Sequence, residues 1–298
     1  VYLAPSDALA VIPQLPEMFD EPFGDSSQIP THLVAAMARQ HVTVSLSGDG
    51  GDELFGGYNR HFWGRVIWRR VGPLPAVLRH GIGSLIRVMD PATWDRAGNL
   101  LPPGMRQPTL GDRMHKLANV IDVKNADELY RRLVSQELEP ASLVIGGSEA
   151  SIWADEEAAA FAARERGGDF TERMMFHDLV GYMVDDILTK VDRSAMACSL
   201  ETRVPFLDHR LVEFAWSLPL HMKIRHGQGK WLLRQVLYRY VPKQMIERPK
   251  QGFGIPLDSW LRGPLRDWAE GLLDESRLCA EGYLEASLVR SRWVEHLS

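Results

Sequence analysis

The chain has few cysteines, no long apolar run and no excess of positive charge. Its 298 residues include only two cysteines, Cys198 and Cys279, which is too few for a disulfide framework or a zinc site built from thiolates. The net charge of −5 at pH 7 gives no basic surplus of the kind that attracts nucleic acid. No apolar stretch reaches membrane-spanning length, and no signal-peptide pattern occurs. We therefore expect a cytoplasmic location, with neither nucleic acid nor a membrane as partner.

The chain also lacks two familiar ligand loops. A phosphate loop of the Walker type ends in Gly-Lys-Ser/Thr, and no such run is present. An EF-hand loop beginning at Asp49 would need a glutamate at its twelfth position, where Arg60 stands. A different glycine-rich stretch, VSLSGDGGDELFGGY at residues 44–58, therefore needs its own explanation.

The residues around this stretch predict an α/β sheet. THLVAAMARQ at 31–40 predicts a short helix with Thr31 as its N-cap, and the β-branched VTVSL at 42–46 predicts a buried strand. Helix, turn, strand and glycine-rich loop form the repeating unit of an α/β sheet, in which ligands bind at the carboxyl ends of the strands. Residues 47–52 lie at such an end.

The composition of the loop suits a nucleotide phosphate with its metal ion. Backbone N–H groups beside glycines can face an anion, and Asp49, Asp52 and Glu53 can hold a hard cation such as Mg²⁺. A structural acidic turn is the alternative, and residue types alone do not decide between the two.

The remainder of the chain predicts helices. For the arginine-rich segment 60–89, a basic amphipathic helix on a membrane surface is one hypothesis. We favour a packed helical insertion with a solvated basic face. Beyond residue 174, one buried helix face is predicted by the spacing of Leu179, Met183, Ile187 and Val191. A second glycine-rich loop, the basic ERPKQGFGIP, covers residues 247–256.

Three motifs together resemble the synthetase domain of glutamine-dependent asparagine synthetases. They are SLSGDGGDELFGGY at 45–58, KVDRSAMACSLETRVPFLD at 190–208, and GKWLLRQVLYRYVP at 229–242 followed by RPKQGFGIP. The resemblance implies an α/β fold, namely the C-terminal portion of a pyrophosphatase-type ATP-binding domain (adenine nucleotide α-hydrolase-like), largely helical in this chain. Residues 1–58 would end the nucleotide-binding sheet, 59–173 would form a helical insertion, and 174–298 would form a helical synthetase region, all within one domain.

The family's activity implies a carbon–nitrogen ligase of asparagine biosynthesis that uses ATP and Mg²⁺. A carboxylate, with aspartate as the expected acceptor, would be adenylated with release of pyrophosphate. Ammonia from glutamine, made by an N-terminal glutaminase domain, would then form the amide. A homodimer is one assembly that the resemblance allows.

The resemblance also implies roles for individual residues. Ser47 and Gly48 would contact ATP, and Asp49 would serve in forming the acyl-adenylate and handling ammonia. Asp52 would help to hold Mg²⁺ on the pyrophosphate, and Lys250 would neutralise the pyrophosphate as it leaves.

Two further lysines are candidates for ATP binding. Lys230 begins a predicted helix, where a cation is unfavourable unless an anion is nearby. The family often places a basic residue at the position of Lys190, although an i,i+4 ion pair with Asp186 explains this lysine equally well.

The sequence departs from the family pattern in ways that affect the predicted function. The family's Ser-Gly-Gly-x-Asp-Ser loop and its catalytic cysteine do not occur, so we expect the N-terminal part to be absent and this chain alone to be inactive. Asp49 stands where the best-studied members have glutamate, and the shorter acid occurs in relatives from polysaccharide and peptide-modifying pathways. A sugar acid or peptide carboxylate as acceptor, or a non-catalytic helical interaction module, therefore remain alternatives.

Overall fold

Two short parallel strands carry the part of the fold that matters for function. This computed structural model describes residues 4–99, 110–137, 139–148, 169–247 and 254–298. Strand β1 is Val44–Leu46 and strand β2 is Glu201–Arg203, and they pair in parallel with Ser45 opposite Thr202. The described residues therefore contain a two-stranded parallel sheet, consistent with the predicted α/β class.

A helix precedes each strand and is joined to it by a short turn. Helix Gln28–Arg39 leads into β1, and helix Thr189–Met196 leads into β2. The two helices pack together around Ala35, Ala195 and Leu200. Because each turn reverses the chain, the first residues of both helices lie at the level of the carboxyl ends of both strands. That edge of the sheet, hereafter the carboxyl edge, is where ligands of α/β proteins bind.

Two local predictions for this region are wrong. The predicted buried strand is exposed, because the side chain of Leu46 is 74% accessible and the described residues supply only β2 as a neighbouring strand. The helix begins at Gln28 after Ser27, so Thr31 lies inside its first turn, where its hydroxyl donates to the Ser27 carbonyl at 2.8 Å.

The described residues fall into two compact units. The first comprises 4–57, 139–148 and 176–298 without 248–253, and the second comprises 58–137 without 100–109, together with 169–175. Beyond the helices already named, the α-helices of the first unit are Pro5–Val11, Leu15–Phe19, Gly51–Phe55, His209–Ser217, Leu220–Lys223, Trp231–Leu237, Lys243–Ile246, Leu257–Arg262, Arg266–Leu272, Glu275–Glu281 and Ala286–Leu297. Short 3₁₀ helices occur at Ile12–Gln14, Pro140–Ser142 and Pro205–Leu207.

The predicted long helix near residue 180 has an unexpected winding. Residues Asp178–Leu188 form a π-helix, and the α-helix Thr189–Met196 continues from it. Met183 is buried as predicted, and Leu179 packs against the cluster of Leu54, Phe55 and Ala215. A wider winding changes which residues share a face, so the α-helical spacing does not hold across this segment.

The second unit is helical throughout its described secondary structure. It contains Asn59–Val71, Ala76–Val88, Pro91–Asn99, Leu110–Ile121, Ala126–Val134 and residues 170–175 of the helix Phe170–His177. Arg65, Arg69, Arg70 and Arg87 of the arginine-rich segment are exposed, as a solvated basic face requires, whereas Arg79 is buried. Val77, Leu85 and Val88 of helix Ala76–Val88 are also exposed. Within the described ranges, no helix combines the length and hydropathy needed to cross a bilayer.

Candidate functional site

The turn after β1 is held by its own polar groups. The Ser47 N–H donates to the Arg203 carbonyl at 2.8 Å, which extends the strand pairing by one hydrogen bond. The Ser47 hydroxyl donates to the Asp49 carboxylate. Gly50 then adopts φ +84°, and a Cβ there would lie 3.0 Å from the Leu207 side chain, so the turn requires glycine. Gly48 is exposed.

An ion pair joins this turn to a distant part of the chain. The Lys230 Nζ lies 3.0 Å from the Asp52 Oδ1, with both side chains only partly exposed. The Lys230 N–H also donates to the Phe55 carbonyl at 2.9 Å. Lys230 has φ +54° and caps helix Trp231–Leu237, so the backbone accepts an unfavourable conformation where the lysine meets the aspartate.

Gly57 makes room for this ion pair. A Cβ at position 57 would lie 1.7 Å from the Asp52 Oδ1 and 2.5 Å from the Lys230 Cε. The second glycine of the Gly56-Gly57 pair is therefore required by the close approach of the two charged side chains.

A cavity of about 410 Å³ opens beside the pair. Its walls are mostly apolar, and the cationic residues among its lining are Lys230 and Arg234. The lining residues are Gly48, Gly51, Phe206, Lys230, Leu233, Arg234, Val236, Leu237, Tyr240 and Ile246. A largely apolar cleft with a few cations is the kind of site that binds an anionic small molecule.

A second charged cluster lies at the carboxyl edge. Lys190 Nζ donates to the Asp25 carboxylate and lies 3.9 Å from the Asp186 Oδ1. Ser27 donates to Asp25 twice, from its N–H at 2.9 Å and its hydroxyl at 2.8 Å. Asp25 lies three residues before helix Gln28–Arg39, and Lys190 lies in the first turn of helix Thr189–Met196, which packs against it, so the two side chains meet. We call Asp25, Lys190 and Asp186 the triad.

The two carboxylates of the triad have opposite pKa shifts. Burial alone would raise the pKa of Asp25, but hydrogen bonds from Lys190 and Ser27 outweigh burial and hold the pKa below its usual value. Burial, reinforced by the nearby charge of Asp25, raises the pKa of Asp186 despite the opposing pull of Lys190 and a hydrogen bond from Tyr182.

The structure brings some of the predicted site residues together. Ser47, Gly48 and Asp49 form the turn after β1, and Asp52 meets Lys230 next to it. Lys190 belongs to the triad, and Lys250 lies outside the described residues. No group of three or more His, Cys, Asp or Glu side chains arranged to hold a metal occurs within the described ranges.

Sequence reasoning missed Asp25 and Gly57. The ion pair of Lys190 with Asp186 predicted from helix spacing is present at 3.9 Å, but the hydrogen bond of Lys190 goes to Asp25, 165 positions away. The run Asp25-Ser26-Ser27 was an available signal, because an aspartate two residues before a serine often accepts its N–H and starts a helix.

Comparison with known proteins settles the family. A family model described as asparagine synthase matches residues 1–298. The chain belongs to the asparagine synthase family. The membership predicted from the three motifs is confirmed, and the ATP-pyrophosphatase type of this family's domain agrees with the parallel strand pair.

Members of the asparagine synthase family from distant organisms resemble the chain. The glutamine-hydrolyzing asparagine synthetase 1 of Bacillus subtilis (strain 168) is 29% identical over 294 residues, covering 99% of this chain and 43% of that protein. A Mycobacterium tuberculosis (strain H37Rv) protein with the provisional name asparagine synthetase (glutamine-hydrolyzing) is 34% identical over 270 residues, covering 90% of this chain and 38% of its own length. The chain thus spans about two fifths of these relatives.

Proposed function

We propose that this chain supplies the synthetase site of an ATP-dependent, amide-forming ligase of the asparagine synthetase type, with aspartate as acceptor and glutamine as source of ammonia. The observation that carries the proposal is the Lys230–Asp52 pair. It joins two of the three resembling motifs at the carboxyl edge, beside a cavity of small-molecule size. A purely structural helical module has no need for a lysine in a left-handed conformation at this edge.

The proposed reaction has two steps. A carboxylate oxygen of the acceptor attacks the α-phosphorus of ATP, which forms an acyl-adenylate and breaks the bond to the departing pyrophosphate. Ammonia then attacks the acyl carbon, the bond to AMP breaks, and one proton leaves the nitrogen as the amide forms. The protein must therefore stabilise the negative charge on the pyrophosphate and accept a proton from the attacking nitrogen.

Each residue of the turn has a task in this scheme. Ser47 and Gly48 contact ATP at the strand end, where the exposed glycine lets a ligand approach the backbone. Asp49, which accepts a hydrogen bond from the Ser47 hydroxyl, would accept the proton from the nitrogen. Lys230, and Lys250 from the basic loop, neutralise the pyrophosphate.

Asp52 is the residue that fits a magnesium ion. Mg²⁺ in nucleotide sites is held by one or two carboxylates together with phosphate oxygens, so a single aspartate beside a phosphate-binding lysine matches its needs. When bound, Mg²⁺ would neutralise charge on the phosphates. Asp52 would hold the ion, and Lys230 would turn from Asp52 toward the pyrophosphate.

Acid-dependent exchange of pyrophosphate into ATP tests the proposed function. The full-length protein should catalyse exchange when aspartate is present, and Asp52→Asn should reduce both the activity and its magnesium dependence. Absence of exchange with aspartate, sugar acids and peptide carboxylates alike would overturn the proposal. Exchange with a sugar acid alone would establish the same scaffold with another acceptor.

The 298-residue chain by itself should show no exchange. The relatives that it resembles are more than twice as long, and the Leu46 side chain on β1 is exposed to solvent. We therefore expect the ATP site to need further residues. Exchange by this chain at the rate of the full-length protein would contradict that expectation.

A further inference from the structure

Helix Ala76–Val88 of the second unit has an apolar surface on its outer side. Its large apolar side chains that are at least half exposed are Val77, Leu78, Leu85 and Val88, with Val77 at 85% and Val88 at 81%. In a helix of about 3.6 residues per turn, these positions and Gly81 fall within about 100° of arc and form one strip along the helix. We call Val77, Leu78, Gly81, Leu85 and Val88 the apolar stripe.

The opposite side of this helix is packed, so the exposure of the stripe does not come from a loosely held helix. Gly83 and Ile86 are buried. The Ile86 carbonyl accepts from the Trp94 Nε1 at 3.2 Å, and the Arg87 Nη2 donates to the Ala118 carbonyl at 2.9 Å. A contiguous apolar surface that stays exposed on a packed helix marks a contact with a partner.

The segment that contains the stripe is basic. Residues 54–89 include six arginines and no aspartate or glutamate, although the whole chain carries a net charge of −5. Arg69 and Arg70 lie in the last turn of helix Asn59–Val71, and only residues 72–75 separate that helix from the next. Both arginines are exposed, and neither forms an ion pair with another described residue. Their charges are therefore available to an anionic partner.

Two acids close to this segment are engaged in contacts of their own. Asp122 lies 3.0 Å from the His80 Nδ1 and 3.6 Å from the Arg87 Nη1. Asp90, which follows the helix, accepts hydrogen bonds from the N–H and the hydroxyl of Thr93. These acids therefore compensate their own neighbours and not Arg69 and Arg70.

The preceding helix has an exposed face of similar character. Trp63 is 63% exposed, and the exposed Val66 and Arg70 follow it by three and seven positions, which places all three on one face of helix Asn59–Val71. Tryptophan is enriched at membrane–water interfaces, where its ring lies among the lipid headgroups. Both helices thus present apolar side chains in an acid-free, arginine-rich segment.

An anionic lipid surface fits these features better than a protein partner does. The stripe is the outer side of a single helix and therefore convex, whereas a peptide partner needs a groove. A second copy of the chain would bring two arginine-rich, acid-free segments together, and like charges repel. A membrane with anionic headgroups accepts apolar side chains and arginines side by side.

We propose that the second unit binds the surface of an anionic membrane, with the apolar stripe inserted among the headgroups and Arg69 and Arg70 on the lipid phosphates. The helix lies on the membrane and does not cross it, in agreement with the absence of a membrane-spanning helix from the described ranges. The proposal departs from the expectation, drawn from the net charge of the whole chain, that a membrane is not a partner. That expectation overlooked the uneven distribution of charge along the chain.

Flotation of the full-length protein with lipid vesicles tests the proposal. The vesicles are phosphatidylcholine alone, or phosphatidylcholine with about 30% phosphatidylglycerol. Binding to the anionic vesicles should be at least about 10-fold stronger, and about 0.5 M NaCl should remove most of the difference. Absence of binding to the anionic vesicles, or equal binding to both kinds, would overturn the proposal.

Variants on the stripe and on the arginines test the two parts of the contact. Leu85→Gln and Val88→Gln should each weaken binding to the anionic vesicles about 5- to 10-fold, because each removes apolar surface from the lipid. The double variant Arg69→Gln/Arg70→Gln should weaken it about 25-fold, which is about fivefold for each lost charge, and should make it less sensitive to salt.

Matched controls come from the first unit. Val294→Gln changes another exposed helical valine, and Arg266→Gln changes another exposed arginine. Each should alter vesicle binding less than twofold. Pyrophosphate exchange by all these variants should stay within about twofold of the wild type, because the substitutions are on the surface. Equal losses of vesicle binding in Val88→Gln and Val294→Gln would overturn the assignment of the contact to the stripe.

Two other occupants of the stripe would give different results. Self-association without lipid that Leu85→Gln weakens, together with no vesicle binding, would assign the stripe to a contact between copies and overturn the proposal. Flotation of the 298-residue chain but not of the full-length protein would show that residues outside this chain cover the stripe, and that result would overturn it too.

Discussion

Lys190 and Lys230 both pair with aspartate in the first unit, yet their surroundings are opposite. Lys230 is 32% exposed, has Asp52 as its ion-pair partner and borders a cavity. Lys190 is 9% exposed and lies between two carboxylates. The first pair is neutral and open, so its lysine can turn to an incoming anion. The triad is buried, so its lysine stays in place between its two carboxylates. Burial and the number of carboxylates around each lysine thus decide how freely its ammonium group can move to another partner.

We expect the largest effect on turnover from replacing Lys230, the lysine proposed to neutralise the departing pyrophosphate. In the full-length protein, Lys230→Ala should lower kcat for acid-dependent pyrophosphate release about 10²- to 10³-fold with little change in the KM for ATP, because its charge matters most as the pyrophosphate departs. Lys230→Arg should recover only part of the rate, since a planar guanidinium is not a compact point charge. Single-turnover kinetics measures this, with Lys243→Ala as control on an exposed lysine. A loss within about threefold would remove Lys230 from the mechanism.

The next largest effect is on the free energy of unfolding, and it comes from replacing Lys190. Lys190→Met leaves two partly buried carboxylates without their cation and should lower the free energy of unfolding by about 2–3 kcal/mol. The matched control is Lys243→Met, which breaks the exposed pair with Glu247 and should cost at most about 0.5 kcal/mol. Urea unfolding of the 298-residue chain gives both values. Similar losses in the two variants would show that the triad is no tighter than a surface ion pair.

A smaller effect tests whether the Lys230–Asp52 geometry depends on Gly57. Gly57→Ala inserts a methyl group between the two side chains and should cost about 1–2 kcal/mol of stability as they move apart. Gly271→Ala is the opposite case, because an added Cβ there meets no atom within 4 Å and the site is helical, so stability should rise. Thermal unfolding compares the two. If both alanines shifted the melting temperature in the same direction, the close approach at Gly57 would have no energetic consequence.

The smallest effect concerns the pH dependence contributed by Asp186. Its raised pKa means that the folded chain binds this proton more tightly than the unfolded chain, so its contribution to stability is lost as pH rises above the ordinary value of 3.8 and through the folded pKa. Asp186→Asn removes the titrating carboxyl group, so the variant does not lose this contribution to stability as the pH rises. The stability of the variant relative to the wild type should therefore grow as the pH rises above about 4. Asp185→Asn provides the reference, and a difference between Asp186→Asn and the wild type that is constant with pH would contradict the assignment.

The local features of the site could be predicted from the sequence, and its long-range pairing could not. The glycine-rich turn after β1 and the helix beginning after Lys230 follow from local patterns, and the structure confirms both. No local rule connects Lys230 with Asp52 or Lys190 with Asp25, because these contacts arise from how two strand-helix units pack. The same limit explains Leu46, where a β-branched run indicates a strand but burial depends on which strands adjoin it.

The exposed side chain of Leu46 on β1 has a practical consequence for experiments with this chain. A sheet of two three-residue strands, each an edge strand in the described part of the chain, offers unpaired backbone groups beside the exposed side chains of Val44 and Leu46. Exposed strand edges pair with those of other molecules at high protein concentration. We therefore expect the 298-residue chain to self-associate in concentrated samples and not in dilute ones. Scattering, sedimentation and calorimetric curves recorded at a single concentration will mix the properties of the folded chain with those of its clusters.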